Sequence, residues 1–526
     1  MNSGPGAGMY YVYSVIVLAI LTFSNFNAAA ITVQLETGSL RGETLDGINI
    51  FRGIPFAAAP TGDLRWRTPQ SHPGWEGVRN ATKFGKICPQ NDGLVALTGG
   101  SLPETSEDCL FLNIWSPNGI QAKPLPVMFW IHGGGLSLGW SNQELYRGHE
   151  FAKRNVVLVT VNYRLGPLGF LAHPELAKES SHGASGNYGF HDQLAALQWV
   201  QNNISLFGGD PSNVTIFGES AGGTSVFALV ASPLSRGLFH RAIAQSPWIS
   251  DTNIAQQNEP NAFVKSSHTQ GLEWASNINP NGVKSIDGLR KLSADKIISS
   301  ESNFQPGINI EGWFMSEDPE TLFAEGQQLD IPMIIGTNRD EGTLFMGQNN
   351  YREKGALETM VRATYGEKTG EVVELYLKSG SPNVREAVNQ FMTDSMFLNG
   401  ARNMLYGTEK ISSKYYQYFF SRSNQLIPML GANHALELGY VFNTTALAPE
   451  SPASPTDRAI ADSMIRHWVQ FAKNGNPNSD ELLTWPAYDT SSQQYKEFGD
   501  EIRIDSILNK DRLDSFQEIR QSLLAL

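Results

Sequence analysis

The spacing of apolar residues changes character along this chain. Near its start, "ITVQLETG" (31–38) alternates apolar and polar positions, which predicts a strand with one face in water. A turn-rich stretch, "GINIFRGIPFAAAP" (47–60), follows. Next come two continuous apolar runs, "PVMFWIHGGG" (126–135) and "NVVLVTVNYR" (155–164), each ended by turn or polar residues. Such runs are strands covered on both faces, as in a mostly parallel sheet. "DQLAALQWVQNNISLFGGDP" (192–211) has helical spacing instead, with Leu194, Leu197, Val200 and Ile204 on one face and Gly208-Gly209 as its stop. The strand "VTIF" (214–217) comes after it. This βαβ alternation predicts a doubly wound α/β fold with a large, mostly parallel central sheet flanked by helices. Beyond Asp251 the pattern loosens. Residues 251–330 and 346–410 read as helical insertions over one end of the sheet, while "PMIIGTN" (332–338) and "YYQYFFSR" (415–422) read as later strands. "SPTDRAIADSMIRHWVQFAKNGNPN" (454–478) predicts a helix with Ser454 as N-cap, Pro455 at its first position and Gly475 at its end.

Two segments match G-x-S-x-G, Gly135-Leu136-Ser137-Leu138-Gly139 and Gly218-Glu219-Ser220-Ala221-Gly222. A nucleophile elbow needs a strand before the serine and a helix after it, with glycines two residues to either side so that strand and helix pass without Cβ clashes. Ser220 has that context, with "VTIF" before it and small residues leading into Thr224–Val230 after it. Ser137 lacks it, because "HGGG" (132–135) intervenes and no clear helix follows. Glycines at 133–135 let backbone N–H groups approach a carbonyl oxygen closely, as the oxyanion of acyl transfer requires. A serine nucleophile also needs a base and a group that orients the base. Among the histidines after Ser220, His467 falls inside an amphipathic helix, and His240 and His268 precede the expected acid. His434 lies just after the strand at 415–422, in the turn-rich "MLGANHALEL". The acid falls in "IIGTNRDEG", where Asp340 and Glu341 are both open.

Net charge is −13 with no long run of one sign, which argues against a nucleic-acid partner. The apolar segment Tyr10–Phe23 is short for a membrane span, and Ala28-Ala29-Ala30 follows it. That arrangement predicts a signal peptide at 1–30 and a secreted chain without a transmembrane segment, although no Lys or Arg precedes the apolar stretch. In a secreted chain the only two cysteines, Cys88 and Cys109, read as one disulfide. Sequons at Asn80, Asn203, Asn213 and Asn443 allow glycosylation, with Asn213 at the mouth of a core strand and the least suited to it.

The order of motifs resembles the type-B carboxylesterase and cholinesterase family over nearly the whole of 31–526. "FRGIPFAAAP", "SEDCLFLNIW", "WIHGGG", "VNYRLGPLGF", "FGGDPSNVTIFGESAGG", "GTNRDEGTLF" and "NHALELGYVF" follow in the family's order. The resemblance implies one α/β-hydrolase domain and a serine carboxylesterase acting on small esters without metal or cofactor. It also implies Ser220 as nucleophile, His434 as base and Glu341 as acid. The amides of Gly134, Gly135 and Ala221 match the oxyanion hole. Ser246 matches a buried serine supporting the acid, Glu219 the residue usually found beside the nucleophile, and Cys88–Cys109 the family's first disulfide. Cholinesterases carry a tryptophan within that disulfide loop to bind a quaternary ammonium by cation–π attraction. Residues 89–108 contain no aromatic residue, which speaks against choline esters. The resemblance leaves open a lipase or cholinesterase-like esterase of the same family, or a non-catalytic adhesion ectodomain. Relatives of the latter kind usually lose the serine.

Overall fold

A computed structural model describes residues 29–524 apart from 99, 279–284, 347–350, 352, 379–382 and 445–452. The apolar segment Tyr10–Phe23 lies outside the described residues. In chain order the strands are β1 (Ala29–Leu35), β2 (Gly38–Leu45), β3 (Ile48–Pro55), β4 (Val78–Asn80), β5 (Phe111–Pro117), β6 (Leu125–Ile131), β7 (Val157–Val161) and β8 (Gly209–Glu219). They continue with β9 (Arg241–Gln245), β10 (Ile254–Gln256), β11 (Ile308–Ile310), β12 (Met333–Asn338), β13 (Tyr415–Phe420), β14 (Gln494–Phe498) and β15 (Ile502–Ser506). Thirteen of them form one sheet in the order β1-β2-β3-β5-β7-β6-β8-β9-β12-β13-β14-β15, with β4 beside β2. From β7 to β14 every neighbouring pair is parallel, and the flanking pairs are antiparallel except β2–β4, which is parallel.

The central run behaves as its sequence predicts. Alternate residues of β6 feed two separate cores: Val127, Phe129 and Ile131 pack with Leu197, Val200 and Phe227, while Met128 and Trp130 pack with Ile460, Met464 and Trp468. One face is thus covered by the helices Tyr188–Asn203 and Ala221–Ala231, the other by Pro455–Asn474. Each large side chain so buried contributes about 1.5–3 kcal/mol relative to exposure, which fixes the strand between its two layers. The last helix has the capping box and the Gly475 terminus read from its sequence. The helix at 188–203 stops earlier than Gly208-Gly209 indicated, because a 3₁₀ turn, Ile204–Phe207, intervenes before Gly208 closes it at φ 85°. The strand around "VTIF" is longer than expected, running from Gly209 to Glu219. The insertions at 251–330 and 346–410 are mainly helical, and the first also carries β10 and β11 as a small parallel pair. Among the described residues no helix is long and apolar enough to cross a membrane.

Parallel strands place the ends of β8, β9, β12 and β13 on one edge, which is where Ser220, Ser246, Glu341 and His434 all emerge. The elbow depends on tight backbone passage at its glycines. A Cβ on Gly222 would lie 2.0 Å from the Ile131 carbonyl oxygen, and one on Gly218 would lie 2.5 Å from the Gly222 carbonyl carbon. Gly222→Ala is therefore expected to lower Tm and soluble yield sharply. Gly355→Ala, in the open first turn of the helix Lys354–Tyr365, is expected to hold or raise Tm. Thermal melts of the two variants side by side test this; equal Tm values would contradict it.

Candidate active site

Ser220 sits between β8 and the helix Ala221–Ala231 with φ 55° and ψ −122°, in a region few L-residues occupy. Its amide donates to the Gln245 carbonyl at 2.9 Å, and its carbonyl accepts from Thr224 N at 2.8 Å, so both sides of the strained turn are bonded. Ser220 is 8 % exposed, which leaves it open to a small approach from the sheet edge. Ser137 lacks this setting. No helix follows it, and its amide instead closes a turn onto the Gly134 carbonyl at 3.1 Å.

The structure separates the two acids that the sequence left open. Glu341 is fully buried after β12 and gathers three donors: Ser246 Oγ, the Asn338 amide and His434 Nδ1, each at 2.6 Å. Asp340 turns the other way. It accepts from the Ala432 amide at 2.7 Å and pairs with Arg339 at 2.9 Å, so it holds the loop carrying His434 rather than the imidazole itself. The remaining histidines have other partners. His467 Nδ1 lies 2.8 Å from the Pro477 carbonyl, His240 accepts from the Val214 amide, and His268 meets Ser185.

His434 Nε2 faces the elbow, where it lies 3.1 Å from Glu219 Oε1, an ion-pair distance without hydrogen-bond alignment. Among the described residues no hydrogen bond joins it to the Ser220 hydroxyl, although Glu219 and Ser220 are neighbours on the same turn. Phe345 and Phe397 wall the imidazole, with ring centroids 5.1 and 4.5 Å away. A third carboxyl, Glu437, lies buried behind the site and accepts from Gln245 and Asn338. Sequence reasoning missed Glu437; its place three residues after His434 was the only signal. Burial alone would depress the imidazole pKa, but the Glu219 and Glu341 carboxylates outweigh it and raise it to about 9. Burial pushes the Glu219 carboxyl up to about 8, against the pull of the imidazole. At that distance the two groups titrate as a pair.

The glycine loop carries its own supports. Gly134 and Gly135 have φ of 111° and 63°, open to glycine and strained for other residues. His132 Nδ1 lies 2.8 Å from the Gly133 carbonyl, and burial lowers this imidazole to about 4, so it is neutral and its Nδ1–H donates. Because a trans peptide sets C=O and N–H on opposite sides, fixing the Gly133 carbonyl also fixes the Gly134 N–H. Ala221 begins the helix after the elbow, completely buried. Beside this loop opens a cavity of about 730 Å³, touching Gly135, Ser137, Trp248, Phe263, Trp274 and Phe304.

Cys88 and Cys109 are joined in a disulfide. The four sequons differ in setting. Asn80 is exposed, whereas Asn213 is engaged by Arg241, Asn203 donates to the Trp199 carbonyl and Asn443 donates to Glu150.

A sheet of this topology, with a strained serine elbow and a buried acid–imidazole pair at the ends of its parallel strands, is that of an α/β hydrolase. The Carboxylesterase family profile matches residues 29–516, and the chain belongs to that family. It is 36 % identical over 467 residues to a fumonisin B1 esterase of Sphingopyxis macrogoltabida, covering 86 % of this chain and 84 % of that protein. It is 36 % identical over 485 residues to a para-nitrobenzyl esterase of Bacillus subtilis, covering 90 % and 96 %. A solved PNB esterase superposes with a TM-score of 0.78 at 32 % identity, covering 94 % of this chain and 99 % of that one. The protein is a carboxylic ester hydrolase.

The geometry around His434 carries a sign that can be measured. Glu219 opposite Nε2 stabilises the charged imidazole, so Glu219→Gln is expected to lower the His434 pKa by roughly 1 unit or more. NMR titration of histidine-labelled protein reads it directly, and an unchanged pKa would mean that Glu219 does not act on the ring.

Proposed function

We propose that the chain hydrolyses small carboxylic esters through Ser220, His434 and Glu341. His434 Nε2 takes the Ser220 proton as Oγ bonds to the ester carbonyl carbon. The carbonyl oxygen, now negative, faces the amides of Gly134, Gly135 and Ala221. The tetrahedral species collapses as His434 gives its proton to the departing alcohol, which leaves an acyl-enzyme. Water then attacks the acyl carbon with His434 as base again, freeing the acid and the Ser220 hydroxyl. In neutral His434, the form populated as pH rises toward about 9, Glu341 holds the proton on Nδ1, so that Nε2 is the nitrogen free to accept, and Ser246 holds Glu341. Glu219 and Ser220 compete for Nε2 from adjacent positions, and a substrate that engages Oγ draws the imidazole toward the serine. The reaction as written runs on side chains, peptide N–H groups and water.

The observation that carries this reading is the bond from His434 Nδ1 to Glu341 at 2.6 Å, which presents Nε2 to the elbow. We read residues 31–526 as one catalytic unit and 1–30 as a signal peptide, with secretion consistent with the Cys88–Cys109 disulfide. Cleavage after Ala30 starts the mature chain within β1. Asn80 is the glycosylation site best supported, since its side chain is exposed beside Thr82. The intact triad favours an esterase over a binding ectodomain.

Hydrolysis of p-nitrophenyl butyrate tests the proposal. Ser220→Ala is expected to reduce kcat by 10³-fold or more, and Glu341→Gln by about 10³–10⁴-fold. Turnover surviving Ser220→Ala but lost in Ser137→Ala would transfer the nucleophile to the other G-x-S-x-G segment and end this assignment.

A further inference from the structure

The loop at 132–139 has a support that comes from outside its own strand. Gln90, two residues after Cys88, is 6 % exposed. Its side-chain amide lies against Gly139 as the edge of a neighbouring strand would. Oε1 accepts from the Gly139 amide at 2.7 Å, and Nε2 donates to the Gly139 carbonyl at 2.9 Å. Nε2 also donates to the Cys88 carbonyl at 3.1 Å, so a flipped amide would lose all three bonds. Among the described residues no backbone group bonds to Gly139, and Gln90 alone pairs both of its peptide groups. A second buried amide side chain makes a matching bridge. Asn162 Nδ2 donates to the Cys109 carbonyl at 3.2 Å, and its Oδ1 accepts from the Ser141 amide at 2.9 Å. Each half of the disulfide thus reaches the exit of the loop through one side chain.

Gly139 matters because of what it stands behind. A Cβ there would collide with the Gly133 carbonyl oxygen and with His132 Nδ1, and a Cβ on Gly134 would collide with the Leu138 carbonyl oxygen. The two arms of the loop are therefore in contact, with Gly139 against the Gly133 carbonyl. That carbonyl shares a trans peptide with the Gly134 N–H, and the two point in opposite directions. Wherever the carbonyl is held, the N–H is aimed. His132 Nδ1 bonds the carbonyl at 2.8 Å, and Gly139 closes the space beside it. If Gly139 moves, the Gly133–Gly134 peptide gains room to rotate. Its peptide groups, buried behind the loop, stay in place because Gln90 satisfies them.

We infer that Gln90 is a positioning residue for ester hydrolysis: by pairing both peptide groups of Gly139 it fixes the backing of the Gly133 carbonyl, and with it the direction of the Gly134 N–H. The inference rests on the reading of that N–H as an oxyanion donor. It also gives the loop closed by Cys88 and Cys109 a path to the reacting carbonyl that runs through a single side chain.

The test compares Gln90→Met and Gln90→Glu with the parent in the full chain. Readouts are kcat and KM on p-nitrophenyl butyrate, Tm, and inhibition by 1,1,1-trifluoro-2-hexanone, whose carbonyl carbon bonds to the nucleophile and leaves an oxyanion in the same place. Gln90→Met keeps the length of the side chain and removes all three bonds. It is expected to lower kcat about tenfold, less than the roughly 10²–10³-fold cost of deleting a donor. KM should stay near the parent value, and the ketone should weaken in step with kcat/KM. Gln90→Glu supplies a rescue that pH controls. A neutral carboxyl accepts from the Gly139 amide and donates its O–H to the Gly139 carbonyl, as the glutamine does, whereas the ionised form has nothing to donate. The ratio of its kcat to the parent's, taken at each pH, should therefore approach one in acid and fall as pH rises through the pKa of the introduced carboxyl, which burial raises. Unchanged kcat in Gln90→Met, a loss carried by KM alone, or a Gln90→Glu ratio that stays flat with pH would each overturn the inference. The last of these decides the matter even if Gln90→Met does not fold. Ser220→Ala, run in parallel, separates the cases: if it stays active, the reading of the whole site fails, and if it is inactive, only the role given to Gln90 is at stake.

Discussion

Everything in the site is arranged around a carboxylate that water does not reach. Glu341 is charged chemistry placed at the end of a core strand, and such a group persists only when its lone pairs are occupied. Three donors occupy them, and each comes from a different part of the sheet edge: Ser246 after β9, Asn338 at the end of β12 and His434 after β13. The carboxylate therefore fixes the relative positions of three loops. The parallel strand order makes this possible, because β9, β12 and β13 are successive neighbours and deliver their C-terminal ends side by side. Removing the acid would leave the imidazole without orientation and would also leave two loops without their common anchor.

Much of this was legible in the sequence, and the reasons are specific. The runs at 126–135 and 155–164 are apolar on both faces because β6 and β7 are covered on both faces. The elbow was legible because only glycine tolerates its contacts, which leaves a composition signature. His434 was found by elimination, since its rivals lay in helices or came too early. The choice between Asp340 and Glu341 was not available from the residues alone. Both are acids in one polar turn, and only the fold shows that Glu341, at the N-cap of the short helix Gly342–Phe345, is the one buried against the imidazole. The family resemblance supplied that choice; in the structure Glu341 meets the imidazole while Asp340 bonds the Ala432 amide.

Other parts were illegible for a common physical reason. Glu437 and Gln90 look like surface residues in a sequence, because burial is a property of the whole fold and leaves no trace in the neighbouring letters. The early end of the helix at 188–203 was missed because the following 3₁₀ turn keeps Ile204 in the apolar stripe. The insertions read as helical, but which element each helix packs on was not legible, although Leu357, Val361 and Tyr365 in one and Val388 and Phe391 in another each bury a continuous face.

The three acidic groups gathered near His434 also bear on the last event of the cycle. Ester enters uncharged, but the acid it yields ionises readily in neutral water. A newly formed anion would lie near Glu341, which is paired with the His434 imidazole, and near Glu219 and Glu437, both of which burial shifts toward the protonated form. The same burial that tunes the imidazole makes this edge a poor solvent for an unpaired anion, so on the proposed mechanism the spent acyl fragment is better held by bulk water than by the site it was made in.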